Sequence, residues 1–166
     1  MREVLGVKSF RVLLLAAAAA ALLAVSCSEK KTAAAKPSLS AKPGWLTSYE
    51  EAQQEAKSNK KLLLMDFTGS DWCGWCIMLD KEIFSKPEFK EYASKNLVLL
   101  ELDFPRMKQM PAETMMQNQR LATQYQIQGF PTIVVLDSSG KQVGALGYTR
   151  GGPQAFIAQL EKLRKG

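Results

Sequence analysis

Two cysteines, Cys73 and Cys76, stand in the run "GSDWCGWC" from Gly69 to Cys76. Three kinds of chemistry fit a Cys-x-x-Cys pair: a metal site, a structural bridge, or a redox couple that exchanges disulfides. A zinc site normally takes four ligands. The chain has one further cysteine, Cys27, and no histidine, so Asp71 or Asp80 would have to complete such a set. A structural bridge across two residues closes a very small loop and removes little chain entropy. The redox reading has a positive mechanism. The pair follows the apolar run "LLLMDF", Leu62–Phe67, and opens a helix containing Met78, Leu79 and Ile83. Cys73 is thereby predicted at the helix start, where free N–H groups and the helix dipole favour a thiolate. Cys76 lies one turn on and is expected to be the more buried. The exposed thiolate attacks a substrate disulfide, and the second thiol resolves the mixed disulfide. Trp72 and Trp75 flank the sulfurs as an apolar surface or as core.

The absence of histidine excludes Ser-His-Asp and Cys-His nucleophile systems and any His-ligated metal. No metal and no organic cofactor is expected. Met107, Met110, Met115 and Met116 raise the idea of copper(I), which thioethers select; their loose spacing reads instead as loop and helix packing. The net charge of +6 is concentrated at the N-terminus. Residues 1–42 hold seven Lys/Arg and two Asp/Glu, a net of +5, and the remainder a net of +1. The folded part therefore has no electrostatic footprint for nucleic acid.

The chain ahead of these residues reads as an export signal. Arg2, Lys8 and Arg11 precede the uncharged apolar run Val12–Val25, short for a membrane span. "LLAVSC", Leu22–Cys27, resembles a bacterial lipobox, with Ala24 at the position where leucine is commoner. Residues 1–26 are read as a lipoprotein-type signal and Cys27 as the lipidation site, which accounts for the odd cysteine and leaves Cys73 and Cys76 to pair. The alternatives are cleavage nearby with a free thiol, or an uncleaved anchor. Residues 27–44, rich in Lys, Ala, Ser and Pro, read as a flexible tether of about 20–25 Å.

Residues 45–166 read as one α/β domain. Thr47 or Ser48 caps a helix reaching about Lys57, and Leu62–Phe67 is a buried strand. Pro87 starts a short helix, Leu97–Phe104 is a strand, and a helix covers about Ala112–Tyr125. Thr132–Asp137 and Gln142–Tyr148 form a hairpin, and Pro153 opens a last amphipathic helix. Strands alternating with helices and a terminal hairpin give a central mixed sheet flanked by helices.

"MDFTGSDWCGWC" together with "QGFPT" resembles the thioredoxin superfamily over most of residues 45–166. The run "DWC…F…KPEF…LVLLELDF…GFPTIVVLDSSG" is similar in particular to exported thioredoxin-like proteins and to the C-terminal domain of the bacterial thiol:disulfide interchange reductase. The resemblance implies a thioredoxin-like fold and a protein disulfide oxidoreductase, with Cys73 as nucleophile and Cys76 as resolving thiol. It implies a cis bond at Pro131, a substrate edge at Phe130 and Pro131 with Trp72 and Trp75 beside it, and Asp66 as a buried acid moving protons to and from the resolving thiol. Asp66 stands one residue further from Cys73 than in ordinary thioredoxins; outside the resemblance it reads as a strand-end acid in solvent. Gly74-Trp75 replaces the Gly-Pro of ordinary thioredoxins and the Pro-His of strong periplasmic oxidases, so one cause of a very low Cys73 pKa is missing. The expectation is a reductase of protein disulfides on the periplasmic side of the cell envelope, lipid-anchored, with the outer membrane favoured by Ser28, monomeric, and recharged by a membrane electron-transfer partner. The rivals are the same enzyme running as an oxidase and a non-catalytic client-binding module.

Overall fold

A computed structural model describes residues 42–165; Cys27 and the signal read over 1–26 lie outside the described residues. The elements run α1 (Tyr49–Asn59), β1 (Leu62–Thr68), α2 (Gly74–Leu79, continuing as a π-helical turn over Asp80–Phe84), α3 (Pro87–Asn96), β2 (Leu97–Asp103), α4 (Ala112–Gln124), β3 (Thr132–Leu136), β4 (Gln142–Leu146) and α5 (Gly152–Lys165). The strands form one mixed sheet in the order β2-β1-β3-β4. β1 is parallel to β2 and antiparallel to β3, and β3 is antiparallel to β4. The fold class read from the sequence, a thioredoxin-like mixed sheet flanked by helices, is the one found.

Local chemistry sets the element ends. Ser48 caps α1 by accepting the N–H of Glu51, as its side chain does for an orphan donor of a first helical turn. Pro87 occupies the first turn of α3, where its missing N–H costs nothing. β1 is buried along its whole length because it lies between two strands with helices on both faces. The apolar run therefore splits by parity. Leu62 and Leu64 pack with Leu79, Ile83, Phe89, Ile133 and Phe156. Leu63, Met65 and Phe67 pack with Ala52, Ala56, Leu100, Leu121 and Val134 on the other face.

The π turn differs from the regular helix that the periodicity predicts through Ile83. The N–H of Ser85 bonds to the carbonyl of Asp80, 2.8 Å away. The extra residue keeps Ile83 and Phe84 in the core, where Phe84 meets Phe89, Phe156 and Trp45 at centroid separations of 4.9, 5.7 and 5.1 Å.

Residues 42–44, read from the sequence as the end of the tether, form a turn with Trp45. The Trp45 N–H reaches the carbonyl of Lys42 at 2.9 Å, and Gly44 takes φ +84°. Proline then glycine at the two central positions is the composition a type II turn requires. The turn delivers Leu46 to the free edge of β2, where it bridges Leu100 in parallel.

Candidate active site

β1 ends at Thr68, and five residues separate it from the start of α2 at Gly74. Between them the N–H groups of Trp72 and Cys73 both bond to the carbonyl of Gly69. A Cβ at position 69 would fall 2.5 Å from the Trp72 ring, so only glycine fits this turn. Ser70 anchors it to the end of β2, its N–H and hydroxyl donating to the Asp103 carboxylate at 2.9 and 2.6 Å. Asp71 accepts backbone N–H bonds from Arg106, Met107 and Lys108 at 3.0, 2.8 and 3.1 Å. These bonds hold its carboxyl below the usual carboxylate range, that from Arg106 foremost.

Cys73 and Cys76 form a disulfide with Cα atoms 5.2 Å apart. Cys73 is the N-cap of α2: its sulfur accepts the N–H of Cys76 at 3.2 Å, and its carbonyl accepts that of Ile77 at 3.0 Å. The expectation of an exposed Cys73 is corrected here, while Cys76 is by a small margin the more buried of the two. Cys73 is 6% exposed and Cys76 4%, because the capping bond and the bridge turn the Cys73 sulfur over the helix end instead of outward.

The two tryptophans part company. Trp72 is half-buried. Its indole N–H donates to the Phe104 carbonyl at 2.8 Å, the Arg106 guanidinium lies 3.8 Å over its ring, and Phe130 meets it edge-on at 5.8 Å. Trp75 is 56% exposed and rests against Tyr148, centroids 5.5 Å apart. The Phe130–Pro131 peptide is cis, and Phe130 also packs on Phe104 at 5.1 Å. The site thus has an aromatic collar of Trp72, Phe104 and Phe130 on one side and an exposed pair, Trp75 and Tyr148, on the other.

Where β1, β2 and the C-terminal end of α2 meet lies a charged cluster of Asp66, Glu101, Asp80 and Lys42. Asp66 is 2% exposed, not a solvent-facing strand end. By the alternation of β1 it shares the face of Leu62 and Leu64, which pack with Leu79 and Ile83 of the cysteine helix and its π turn. Its pKa is pushed up to about 7, chiefly by burial, against the pull of Lys42. Its Oδ1 has no hydrogen-bond partner among the described residues. Glu101, its neighbour across the β1–β2 ladder, is also buried, and burial raises its pKa as well. The cation between them is Lys42, with Nζ 3.8 Å from Asp66, 3.2 Å from Glu101 and 3.0 Å from Asp80. Burial lowers the Lys42 pKa, yet the carboxylates outweigh it and the group is held above its ordinary value.

Sequence reasoning missed Lys42, Glu101, Asp71, Arg106 and Tyr148 as parts of the site. A usable signal existed for Glu101, an acid inside the otherwise apolar run "LVLLELDF". The reading of the methionines as packing residues is corrected for three of the four: Met107, Met115 and Met116 are exposed, whereas Met110 is half-buried with its sulfur 3.8 Å from the Asn118 amide, and the buried positions of α4 are Asn118 and Leu121. Among the described residues no group of three or more His, Cys, Asp or Glu side chains is arranged to hold a metal ion.

Comparison with known proteins agrees with this geometry. The thioredoxin-like domain family matches residues 49–164. The disulfide bond reductase DsbH of Chlamydia pneumoniae is 38% identical over 130 residues, 78% of each chain. The thioredoxin-related protein DsbJ of the same organism is 28% identical over 62% of this chain and 30% of its own length. A solved DsbH oxidoreductase superposes with a TM-score of 0.69 at 39% identity, covering 73% of this chain and 83% of that one. The C-terminal domain of Neisseria meningitidis DsbD shares the fold, with a TM-score of 0.51 at 17% identity over 71% of this chain and 97% of that one. With a disulfide capping the helix that follows β1 and these relatives alongside, the chain belongs to the thioredoxin-like domain family and is a thiol–disulfide oxidoreductase.

Proposed function

We propose that this enzyme reduces protein disulfides outside the cytoplasm, tethered to the membrane through a lipid on Cys27. The observation that carries the direction is the carboxylate cluster that adjoins the cysteine helix at Asp80. A strong oxidant owes its potential to a stabilised thiolate in the reduced form. Here no histidine exists, and Asp66, Asp80 and Glu101 share one lysine. Negative charge near a thiol disfavours its thiolate, so the dithiol gives up its electrons more readily. The 38% identity to a disulfide bond reductase supports the same direction.

In the proposed cycle the Cys73 thiolate attacks one sulfur of a substrate disulfide and displaces the other as a thiolate. Cys76 loses its proton to the Asp66 carboxylate and attacks the Cys73 sulfur. The Cys73–Cys76 bond forms, and the bond from Cys73 to substrate breaks, its electron pair leaving on the second substrate thiolate. One substrate disulfide is reduced and one enzyme dithiol oxidised. The Phe130–Pro131 edge, with Trp72 and Trp75, receives the extended substrate segment. No organic cofactor takes part. The chain works as a monomer in the periplasm, the outer membrane being the favoured anchor, and a membrane electron donor returns it to the dithiol.

Equilibration in glutathione buffers, read by Trp72 and Trp75 fluorescence, tests the direction. A potential near about −270 mV supports a reductase and one near about −120 mV overturns it in favour of an oxidase. Cys73→Ser should abolish turnover; a client-binding module would keep its affinity in that variant and show no exchange in the wild type. Labelling with radioactive palmitate, lost in Cys27→Ser, tests the anchor.

A further inference from the structure

The cation that serves the buried acid comes from neither β1 nor the cysteine helix. It arrives on the turn Lys42–Trp45, before the first helix. Three observations fix it there. The turn is closed by the Trp45 N–H bond to the Lys42 carbonyl, with Gly44 at positive φ. Trp45 is buried in the core and Leu46 is bridged to β2, so the turn is held from its C-terminal side. The ammonium then lies 5.1 Å over the Trp45 ring and 5.8 Å over that of Phe84, within the reach of a cation–π contact. Its remaining surroundings are carboxylates from three elements: Asp66 of β1, Glu101 of β2 and Asp80 of the π turn. Asp103, further along β2, adds its charge to the field at Asp66 and Glu101. The Lys42 side chain is still 27% exposed, so the group can leave its seat without crossing the core.

We propose that Lys42 is the positioning residue of the buried acid, and that seating this lysine through the Lys42–Trp45 turn sets how readily Asp66 takes a proton from Cys76. The inference rests on the reading of Asp66 as the proton acceptor during resolution. With Lys42 seated, Asp66 is a carboxylate at neutral pH in a useful fraction of molecules and can accept the Cys76 proton. With Lys42 withdrawn, three carboxylates face one another without a countercharge. Asp66 then keeps its proton, and the second sulfur must deprotonate to water. Because the turn is built from the last residues of the segment read as a tether, the seating of that segment's end bears on the chemistry of the disulfide.

The test measures, on the full chain, the rate of disulfide exchange against pH for the wild type, Lys42→Met, Lys42→Arg, Asp66→Asn and the Lys42→Met/Asp66→Asn pair, with melting curves alongside. The wild type should inflect at about 7, the value to which Asp66 is pushed. Lys42→Met should move the inflection up by about one pH unit or more, the effect of an opposite charge within about 4–6 Å. Lys42→Arg should bring it back toward the wild-type position, and Lys42→Met should add no shift in the Asp66→Asn background. A purely structural lysine would lower the melting temperature and leave the inflection in place. If Asp66→Asn removes the inflection and Lys42→Met does not move it, the role of Lys42 is overturned and that of Asp66 stands. If the inflection survives in Asp66→Asn, the role of Asp66 falls, and this inference with it. Should Lys42→Met fail to fold, Glu101→Gln provides the opposite sign: it removes a carboxylate facing both groups and should move the inflection down, and an unmoved inflection there overturns the coupling.

Discussion

Two aspartates stand ahead of the cysteines, one in β1 and one on the turn that follows it, and the protein treats them in opposite ways. Asp66, at the covered end of β1, has one oxygen without a partner and is raised to about 7 by burial. Asp71, on the turn itself, accepts three backbone N–H bonds and is held low by them. One carboxyl is therefore a proton store near neutral pH, and the other is a fixed charge that shapes the 106–108 loop. Asp66 lies in a charged cluster with Lys42, Glu101 and Asp80, and Asp71 in the loop that leads to the cysteines. The difference teaches that residue type and proximity to a Cys-x-x-Cys pair do not assign a role; desolvation and the count of donors do.

The largest expected effect breaks the comparison at Asp66. An acid near 3.8 in the unfolded chain and about 7 in the folded one binds its proton more tightly when folded. Its contribution is fully favourable below about pH 4 and is lost as pH rises through about 7. Over that window the wild type should lose about 3–4 kcal/mol of stability. Asp66→Asn should remove most of this slope and be the more stable protein at pH 8. The slope that remains belongs to Glu101, which burial also raises. Urea unfolding at pH 4, 6 and 8 measures it; equal slopes in both proteins would mean that Asp66 is ionised throughout. Asp71→Asn should do the reverse, leaving the pH slope intact and loosening the loop. Amide exchange at Arg106, Met107 and Lys108 should speed up about tenfold or more, since their acceptor loses its charge.

How far the sequence could lead differs between the two regions. The elements were legible because their signals are local: a capping serine before α1, a proline opening α3, and continuous apolar runs for β1 and β2. The π turn over Asp80–Phe84 was not, since an apolar spacing of three or four residues tolerates one extra residue without leaving a mark. Cys73 and Cys76 announce themselves by spacing, and the charged cluster around Asp66 does not. Lys42 sits in a stretch rich in lysine and proline, and its partners Asp66, Asp80 and Glu101 are distant in the chain. Only the β1–β2 register and the Pro-Gly turn bring them together. The methionines misled for a related reason. Their apolar character suggests burial, but α4 turns its Asn118–Leu121 face inward and leaves Met115 and Met116 outside.

The smallest effects sharpen the comparison on the side proposed to receive the substrate, where Trp72 and Trp75 are alike in the sequence. Trp72 belongs to the fixed region. Its N–H bond to Phe104, the guanidinium of Arg106 and the edge of Phe130 hold it on several sides. Trp72→Ala should destabilise the fold by about 2–4 kcal/mol, as loss of a packed aromatic does, and should slow exchange with small and large disulfides alike. Trp75 is exposed and pairs with one ring among the described residues, that of Tyr148, which is tied to the helix side by its hydroxyl bond to Glu82. Trp75→Ala should therefore shift stability by no more than about 0.5 kcal/mol. Its effect should be confined to clients that extend beyond the reacting sulfurs: KM for a protein disulfide rises about 3–10-fold, equivalent to about 1 kcal/mol, while the rate with glutathione disulfide is unchanged within a factor of about two. Steady-state kinetics on both substrates separates the possibilities. A fall with glutathione as large as that with protein would place Trp75 in the chemistry of the disulfide itself, and the division between an exposed docking ring and a fixed collar ring would no longer hold.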